Sequence, residues 1–179
     1  MTAVAAAGPL MACLDVAYRE ARAAAACVAF AGWADGTAAR ELVRHGPVVA
    51  PYRRGALFER ELPLLLAVLG LLEPAPNLLI VDGHVWLDGA GTAGLGGHLF
   101  AALGASVPVI GVAKRPFAGA PAVPVLRGRS RRPLWVSAAG AGQGWAAARV
   151  AAMHGPYRLP TLLRRADRLA RAALEGRPT

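Results

Sequence analysis

Three carboxylates stand in apolar surroundings in this sequence. Asp15 lies inside "CLDVAY", Glu61 opens "ELPLLLAVLG" and Asp82 closes "NLLIVD". Acidic residues are scarce, 11 Asp plus Glu against 20 Lys plus Arg, so these positions carry information. A carboxylate in an apolar run is costly to bury unless something compensates it. One reading is local: Asp82 before Gly83 makes a turn pair, and Glu61 suits a helix N-terminus. The other is convergence. Three carboxylates meeting in space offer hard oxygen ligands to Mg²⁺ or Mn²⁺. Such an ion lowers the pKa of bound water and stabilises the leaving oxygen in phosphodiester hydrolysis. Lys114, the only lysine, ends "VPVIGVAK" and would place positive charge beside a phosphate.

A second chemistry overlaps the first. "GAGTAG", Gly89 to Gly94, spells G-x-G-x-x-G. A dinucleotide loop should leave its strand directly and be followed about 20 residues later by an acid. Here the glycines start seven positions after Asp82, and the region near residue 114 offers Lys114 and Arg115. A nucleotide-using α/β enzyme is therefore the weaker alternative. The glycines of "GLGGH" are expected to let a helix approach the sheet closely. His84 could reach the Asp82 site, His98 reads as a packed helix residue, and His45 and His154 as exposed or capping. No G-x-S-x-G or phosphate-binding loop is present.

The elements that would position these groups follow from periodicity. Leu10–Tyr18 and Ala24–Trp33 read as buried strands joined by a hairpin, and Gly46–Tyr52 as a short third strand. "ELPLLLAVLGLLEP" reads as a largely buried helix with Pro63 in its first turn and Pro74 as its end. "NLLIVD", "AGLGGHLFAALG" and "VPVIGVAK" give strand, helix and strand, which implies a parallel pair. "VPVLRG" and "RPLWVSA" read as two further strands joined by the basic loop Arg127 to Arg132, which is either a phosphate site or a solvated turn. Trp145–Met153 and "LPTLLRRADRLARAALEG" read as helices. The last carries an apolar stripe of Leu162, Ala166, Leu169 and Ala173, with Arg164, Arg168 and Arg171 on another face. Strands first, then alternating helix and strand, suggest an α/β fold: a mixed sheet flanked by helices, an order shared by the ribonuclease H-like architecture and several others.

Bulk properties bound the function. The length suits one domain, residues 1–179, and a hydrophobic share of 55% is ample for a core. A net charge of +9 suits a polyanion such as DNA or RNA, although a genome biased toward Ala, Gly, Arg and Pro would produce the same surplus. Cys13 and Cys27 sit in apolar runs and read as buried thiols rather than a disulfide. The N-terminus is a poor signal peptide and no apolar run is long enough to span a bilayer, so a soluble cytoplasmic protein, with no membrane partner, is expected.

Taken in order, five stretches resemble the endonuclease V family, metal-dependent nucleases that act beside deaminated adenine (inosine). "CLDVAY" looks like the family's first strand, with Asp15 at its metal-binding aspartate. "PYRRGALFERELP" resembles its Pro-Tyr loop and helix, with Glu61 at the catalytic glutamate. "LLIVDG" matches the strand ending in the second aspartate, Asp82. "GLGGHL…PVIGVAK" places Lys114 at the family's lysine, and "YRLPTLLRRADRLAR" resembles the C-terminal segment. The resemblance implies a ribonuclease H-like fold, a Mg²⁺ or Mn²⁺ cofactor, catalysis by Asp15, Glu61, Asp82 and Lys114, and a nucleic-acid contact from Tyr52; Arg53 and Arg54 beside it and His84 beyond Asp82 are expected to add contacts of this chain's own. It also implies cleavage of the second phosphodiester bond 3′ to the lesion, with Tyr52 wedged beside a flipped-out base. The chain departs from the pattern in three places. Arg53 and Arg54 follow Tyr52 where the family continues with Ile-Pro, "VWLDGAGT" replaces a His-Pro-Arg stretch, and "SAAGAGQG" replaces Ser-Pro-Gly-His. A chain of this fold that binds nucleic acid without cutting it is the alternative from the binding class.

Overall fold

The structure is a computed structural model that describes residues 9–175. Residues 1–8 of the stretch read as a poor signal peptide lie outside the described residues, as does the end of the C-terminal helix pattern at Gly176. Seven strands form one mixed sheet, and helices cover both of its faces. Strands β1 (Met11–Arg19), β2 (Arg22–Phe30) and β3 (Arg40–Pro47) come first. Helix α1 (Phe58–Leu69), β4 (Leu78–Val81), α2 (Leu95–Ala102) and β5 (Val109–Ala113) follow. Then come β6 (Val123–Val125), β7 (Leu134–Ala139), α3 (Gln143–Ala152) and α4 (Thr161–Glu175). The sheet order is β3-β2-β1-β4-β5-β7-β6. Its centre, β1-β4-β5, is parallel, and antiparallel strands flank it on both sides. The architecture is the α/β, ribonuclease H-like one.

Alternation along the strands sorts the core into two layers. Met11, Cys13, Ile80, Ile110 and Val112 face α3 and α4. Ala12, Leu14, Leu79, Val81 and Val109 face α1 and α2. Cys13 and Cys27 are buried free thiols in opposite layers.

Two boundaries differ from expectation. The third strand is Arg40–Pro47, "RELVRHGP", not Gly46–Tyr52. It is an edge strand paired only with β2, so half of it is exposed and polar, and its charges hide the strand period. Helix α1 begins at Phe58, so Pro63 lies inside it, and it ends at Gly70 before Pro74 is reached. In α4 the buried stripe is Leu162, Leu163, Ala166, Leu169, Ala170 and Leu174, with Ala173 only half-buried.

Candidate active site

Strand register brings Asp15 and Asp82 side by side. Leu14 pairs with Val81 across the parallel β1-β4 ladder, so the next residues on the two strands are Asp15 and Asp82. Gly83 N–H continues the neighbouring ladder by donating to the carbonyl of Val112 (3.3 Å), two residues before Lys114. Asp15 follows Cys13, Asp82 follows Ile80, and Lys114 follows Val112, so all three side chains start on the α4 side of the sheet. They cluster at the carboxyl ends of the parallel strands, where open α/β sheets place ligands.

Glu61 arrives from the other layer. It lies on the buried stripe of α1 with Leu65, Val68 and Leu69, which drives a carboxyl to 7% exposure. Tyr18 Oη donates to Glu61 Oε1 (3.1 Å), and the Arg60 guanidinium lies 4.1 Å from the centroid of the Tyr18 ring. Burial, reinforced by the charges of Asp15 and Asp82, pushes the Glu61 carboxyl up to about 8. Burial, then Asp82 and Asp167, pushes Asp15 up to about 7, against the Val16 N–H that its Oδ1 accepts at 2.8 Å. Lys114 donates to Asp82 Oδ2. Burial opposes the ammonium charge, but Asp82, Asp15 and Asp167 together outweigh it and raise its pKa.

Asp167 joins this group unannounced. It sits on α4 beside buried Ala166, accepts from Arg171 Nε (2.9 Å), and acts electrostatically on Asp15 and Lys114. As the sole acid in "LLRRADRLAR" it was detectable, but the arginines around it read as a solvated face. As the side chains stand, no three His, Cys, Asp or Glu groups among the described residues are spaced to chelate one ion. Asp15, Glu61 and Asp82 are each turned to a protein partner: Val16 N–H, the Tyr18 hydroxyl and the Lys114 ammonium. The donor set still fits a hard divalent cation: carboxylate oxygens, largely desolvated, that raise one another's proton affinity.

A cleft of about 680 Å³ opens from Asp82 and Lys114 and is lined by Tyr52, Arg54, His84 and Phe117. Tyr52 is 67% exposed on its rim. Arg54 lies 5.2 Å from the Phe117 ring centroid, and Phe117 meets His84 edge-on at 6.1 Å. His84 Nε2 donates to the carbonyl of Arg115 (3.0 Å), while its Nδ1 is buried without a partner. Arg53 is not among the cleft's lining residues. It is exposed and bonded to Glu59 (2.7 Å), on the helix that carries Glu61. Phe117 escaped sequence reasoning because a lone aromatic in "KRPFAG" carries no period.

The glycine-rich stretch is a wall of this cleft, not a dinucleotide loop. Asp88 closes its tip by accepting from Ala90 N–H and Thr92 N–H, both at 3.0 Å, and from the Thr92 hydroxyl. At Gly94 a β-carbon would stand 2.5 Å from the His84 carbonyl oxygen, so the start of α2 is filled by the chain's own backbone. The segment is anchored to β7, where Ser137 Oγ accepts from Val85 N–H (2.9 Å) and Trp86 Nε1 donates to the Ala138 carbonyl (3.0 Å). The close approach of Gly96 and Gly97 is thus mainly to Val85, just beyond β4. His98 stacks on Phe58 (3.6 Å between centroids), His154 bonds Thr161 and His45 is exposed.

The loop from Arg127 to Arg132 divides. Arg127 is neither solvated nor free for phosphate. It is 6% exposed, and its guanidinium donates to the carbonyls of Ala151, Met153, Gly155, Tyr157 and Arg158. Arg129, Arg131 and Arg132 are exposed.

Known proteins share this arrangement of elements and sequence. The family model described as Endonuclease V matches residues 3–147. An endonuclease V from Streptomyces coelicolor is 38% identical over 185 residues, covering 90% of this chain and 77% of that protein. The crystal structure of endonuclease V from Streptomyces avermitilis superposes with a TM-score of 0.77 at 32% identity, over 94% of this chain and 82% of that one. In fold alone, Ciona intestinalis endonuclease V in complex with a 24mer DNA containing an inosine is also similar, with a TM-score of 0.82 at 19% identity over 94% and 86% of the chains. Among the described residues no helix is long and apolar enough to cross a membrane. The extent of the sequence match, together with the same sheet carried in a solved relative, places this chain in the endonuclease V family of nucleic-acid hydrolases.

Proposed function

We propose that the chain, acting as one domain, hydrolyses a phosphodiester bond next to a deaminated base, inosine, in DNA or RNA. The observation that carries this reading is the gathering of Asp15, Glu61 and Asp82 close enough to raise one another's proton affinity, beside an aromatic and basic cleft that Asp82 and Lys114 line. Asp15 and Asp82, with Glu61 and Asp167 beside them, would hold Mg²⁺ or Mn²⁺. When bound, such an ion lowers the pKa of water and offsets charge on phosphate oxygens. The chain's own groups supply the rest. Glu61, titrating close to neutrality, holds or releases a proton beside the Tyr18 hydroxyl. Lys114 Nζ carries positive charge for the phosphate at the junction of cleft and carboxylates. Tyr52 at the rim, and Arg54, His84 and Phe117 within, present rings and a guanidinium on which an extruded base can stack. Arg53 supports this loop from outside through Glu59 and adds phosphate affinity. The inosine-containing DNA held by the Ciona protein of the same fold supports this choice of substrate.

The test is cleavage of labelled single-stranded DNA and RNA, each with one inosine, in Mg²⁺ or Mn²⁺. Wild type is expected to cut, and Asp82→Ala to lose cutting; identical behaviour of the two overturns the assignment. The ion pair between Lys114 and Asp82 favours the rival reading, binding without cleavage, because a carboxylate already held by an ammonium is a poorer ligand. Salt-dependent binding with no metal-dependent product, across several lesions, would establish it.

A further inference from the structure

Lys114 belongs to two grooves. Besides the cleft of His84 and Phe117, it opens a second one of about 450 Å³, walled by Arg115, Arg132, Trp135 and Arg158. That volume is within the range of small-ligand sites, about 300–1,000 Å³, and suits a span of one or two nucleotides. Among the described residues no carboxylate lines it. By contrast, the cleft at the start of α4 has a carboxylate in its wall, Glu41, which pairs with Arg165 and leaves Arg164 and Arg168 as its remaining cations. Arg132 and Arg115 have no ion-pair partner among the described residues, so their charges are available to a ligand. Arg158 is fixed, donating to the carbonyls of Lys114 and Pro133, and its buried Nε has no partner. Trp135 stands opposite Ala113 in the β5-β7 ladder, half-buried, at the level where Lys114 leaves the sheet.

The geometry points to a second substrate subsite: this groove takes the single-stranded polynucleotide on one flank of the cleaved bond. Phosphates lie along Arg115, Arg132 and Arg158, and a base stacks on Trp135. Continuity through Lys114 makes the two grooves one track, with the carboxylates beside the join. Cations interleaved with an aromatic are what sequence-tolerant single-strand binding requires. The inference rests on the nuclease reading for its position relative to the cut, but its binding chemistry can be tested without cleavage.

The experiment has two arms. The first measures binding of unmodified dT and rU 12-mers by fluorescence anisotropy, without added metal, across a salt series. Arg132→Glu is expected to weaken both about 10-fold and to lower the slope of log affinity against log salt by about 0.7, one phosphate contact on a single strand. Trp135→Ala is expected to weaken binding by a similar factor. Arg44→Glu, on the opposite edge of the sheet, makes the same charge change and is expected to do much less. Among the described residues the exposed Arg132 side chain has no hydrogen-bond or ion-pair partner, so that variant is expected to stay folded even if Trp135→Ala does not. The second arm shortens an inosine strand from either end. On one side only, shortening should raise the wild-type KM toward that of Arg132→Glu with kcat held. Equal binding by wild type, Arg132→Glu and Trp135→Ala overturns the subsite. Absence of any inosine cleavage alongside the expected binding pattern overturns the nuclease reading and leaves the groove standing. A preference for dT over rU or the reverse identifies which polynucleotide it serves.

Discussion

Arg127 and the pair Asp15 and Glu61 are all charged groups taken out of water, and the protein treats them in opposite ways. Around Arg127 the chain between α3 and α4 bends so that five carbonyls receive the guanidinium. Its donors are satisfied and its role is to hold two helices in place. Glu61 is buried as deeply and Asp15 is half-buried, yet their neighbours include further acids, and the proton affinity of both carboxyls rises. Burial with compensation is architecture; burial with repulsion is a site waiting for a ligand of opposite charge.

The widest separation should appear in Asp15→Asn. Cleavage of an inosine strand is expected to fall by at least about 100-fold, as for loss of a charge directly engaged in metal-ion catalysis. The same substitution should raise the metal-free melting temperature at pH 8, because it removes a repelled charge. A loss of stability would erase the contrast with Arg127. The converse experiment is Arg127→Met, which keeps bulk but strips the donors. A cost of about 3 kcal/mol is expected from carbonyls left without partners, or roughly 6–12 °C in melting temperature at ~2–4 °C per kcal/mol. Activity measured well below that temperature should be retained.

The pH dependence sharpens the comparison further. Asp15 and Glu61 titrate near 7 and 8 in the folded chain, against 3.8 and 4.5 for free groups. Folding therefore holds extra protons between these values. The metal-free protein should have this stabilisation in full below about pH 4 and have lost it by about pH 8. Chemical denaturation at pH 5 and 8.5 checks the sign. Asp15→Asn should flatten the trend, and saturating Mg²⁺ or Mn²⁺ should oppose it, since binding then competes with protons. The smallest effect is reserved for Arg53→Ala. Its partner Glu59 is held on the surface, and such pairs contribute little. The melting temperature should not move measurably, which would set the surface pair apart from both buried cases.

Much of the scaffold was legible because it repeats. The runs that became β4 and β5 are apolar throughout because both faces are covered, and the stripe of α4 repeats with the helix turn because one face is; burial writes both patterns directly into residue type. Asp15, Glu61 and Asp82 were legible as interruptions of such runs. What interrupts a polar stretch leaves no trace of this kind. Strand β3 is hard to place from sequence because most of its side chains face water, and Asp167 is inconspicuous because an acid among arginines looks like a surface. The fate of Arg127 was illegible for another reason: its partners are backbone carbonyls of residues 151 to 158, and carbonyls have no letter in a sequence.

The wall of the cleft from Gly83 to Val85 is clamped between two positions without side chains. A β-carbon on Gly111 would come within 2.5 Å of the Gly83 carbonyl oxygen, and one on Gly94 within 2.5 Å of that of His84. For laboratory evolution this divides the pocket into a fixed jaw and an adjustable one. Libraries aimed at 94, 96 or 111 should return mostly misfolded protein. Changes in base preference should be harvested from the opposite jaw, at Tyr52, Arg54 and Phe117, where exposed or loop-borne side chains tolerate exchange.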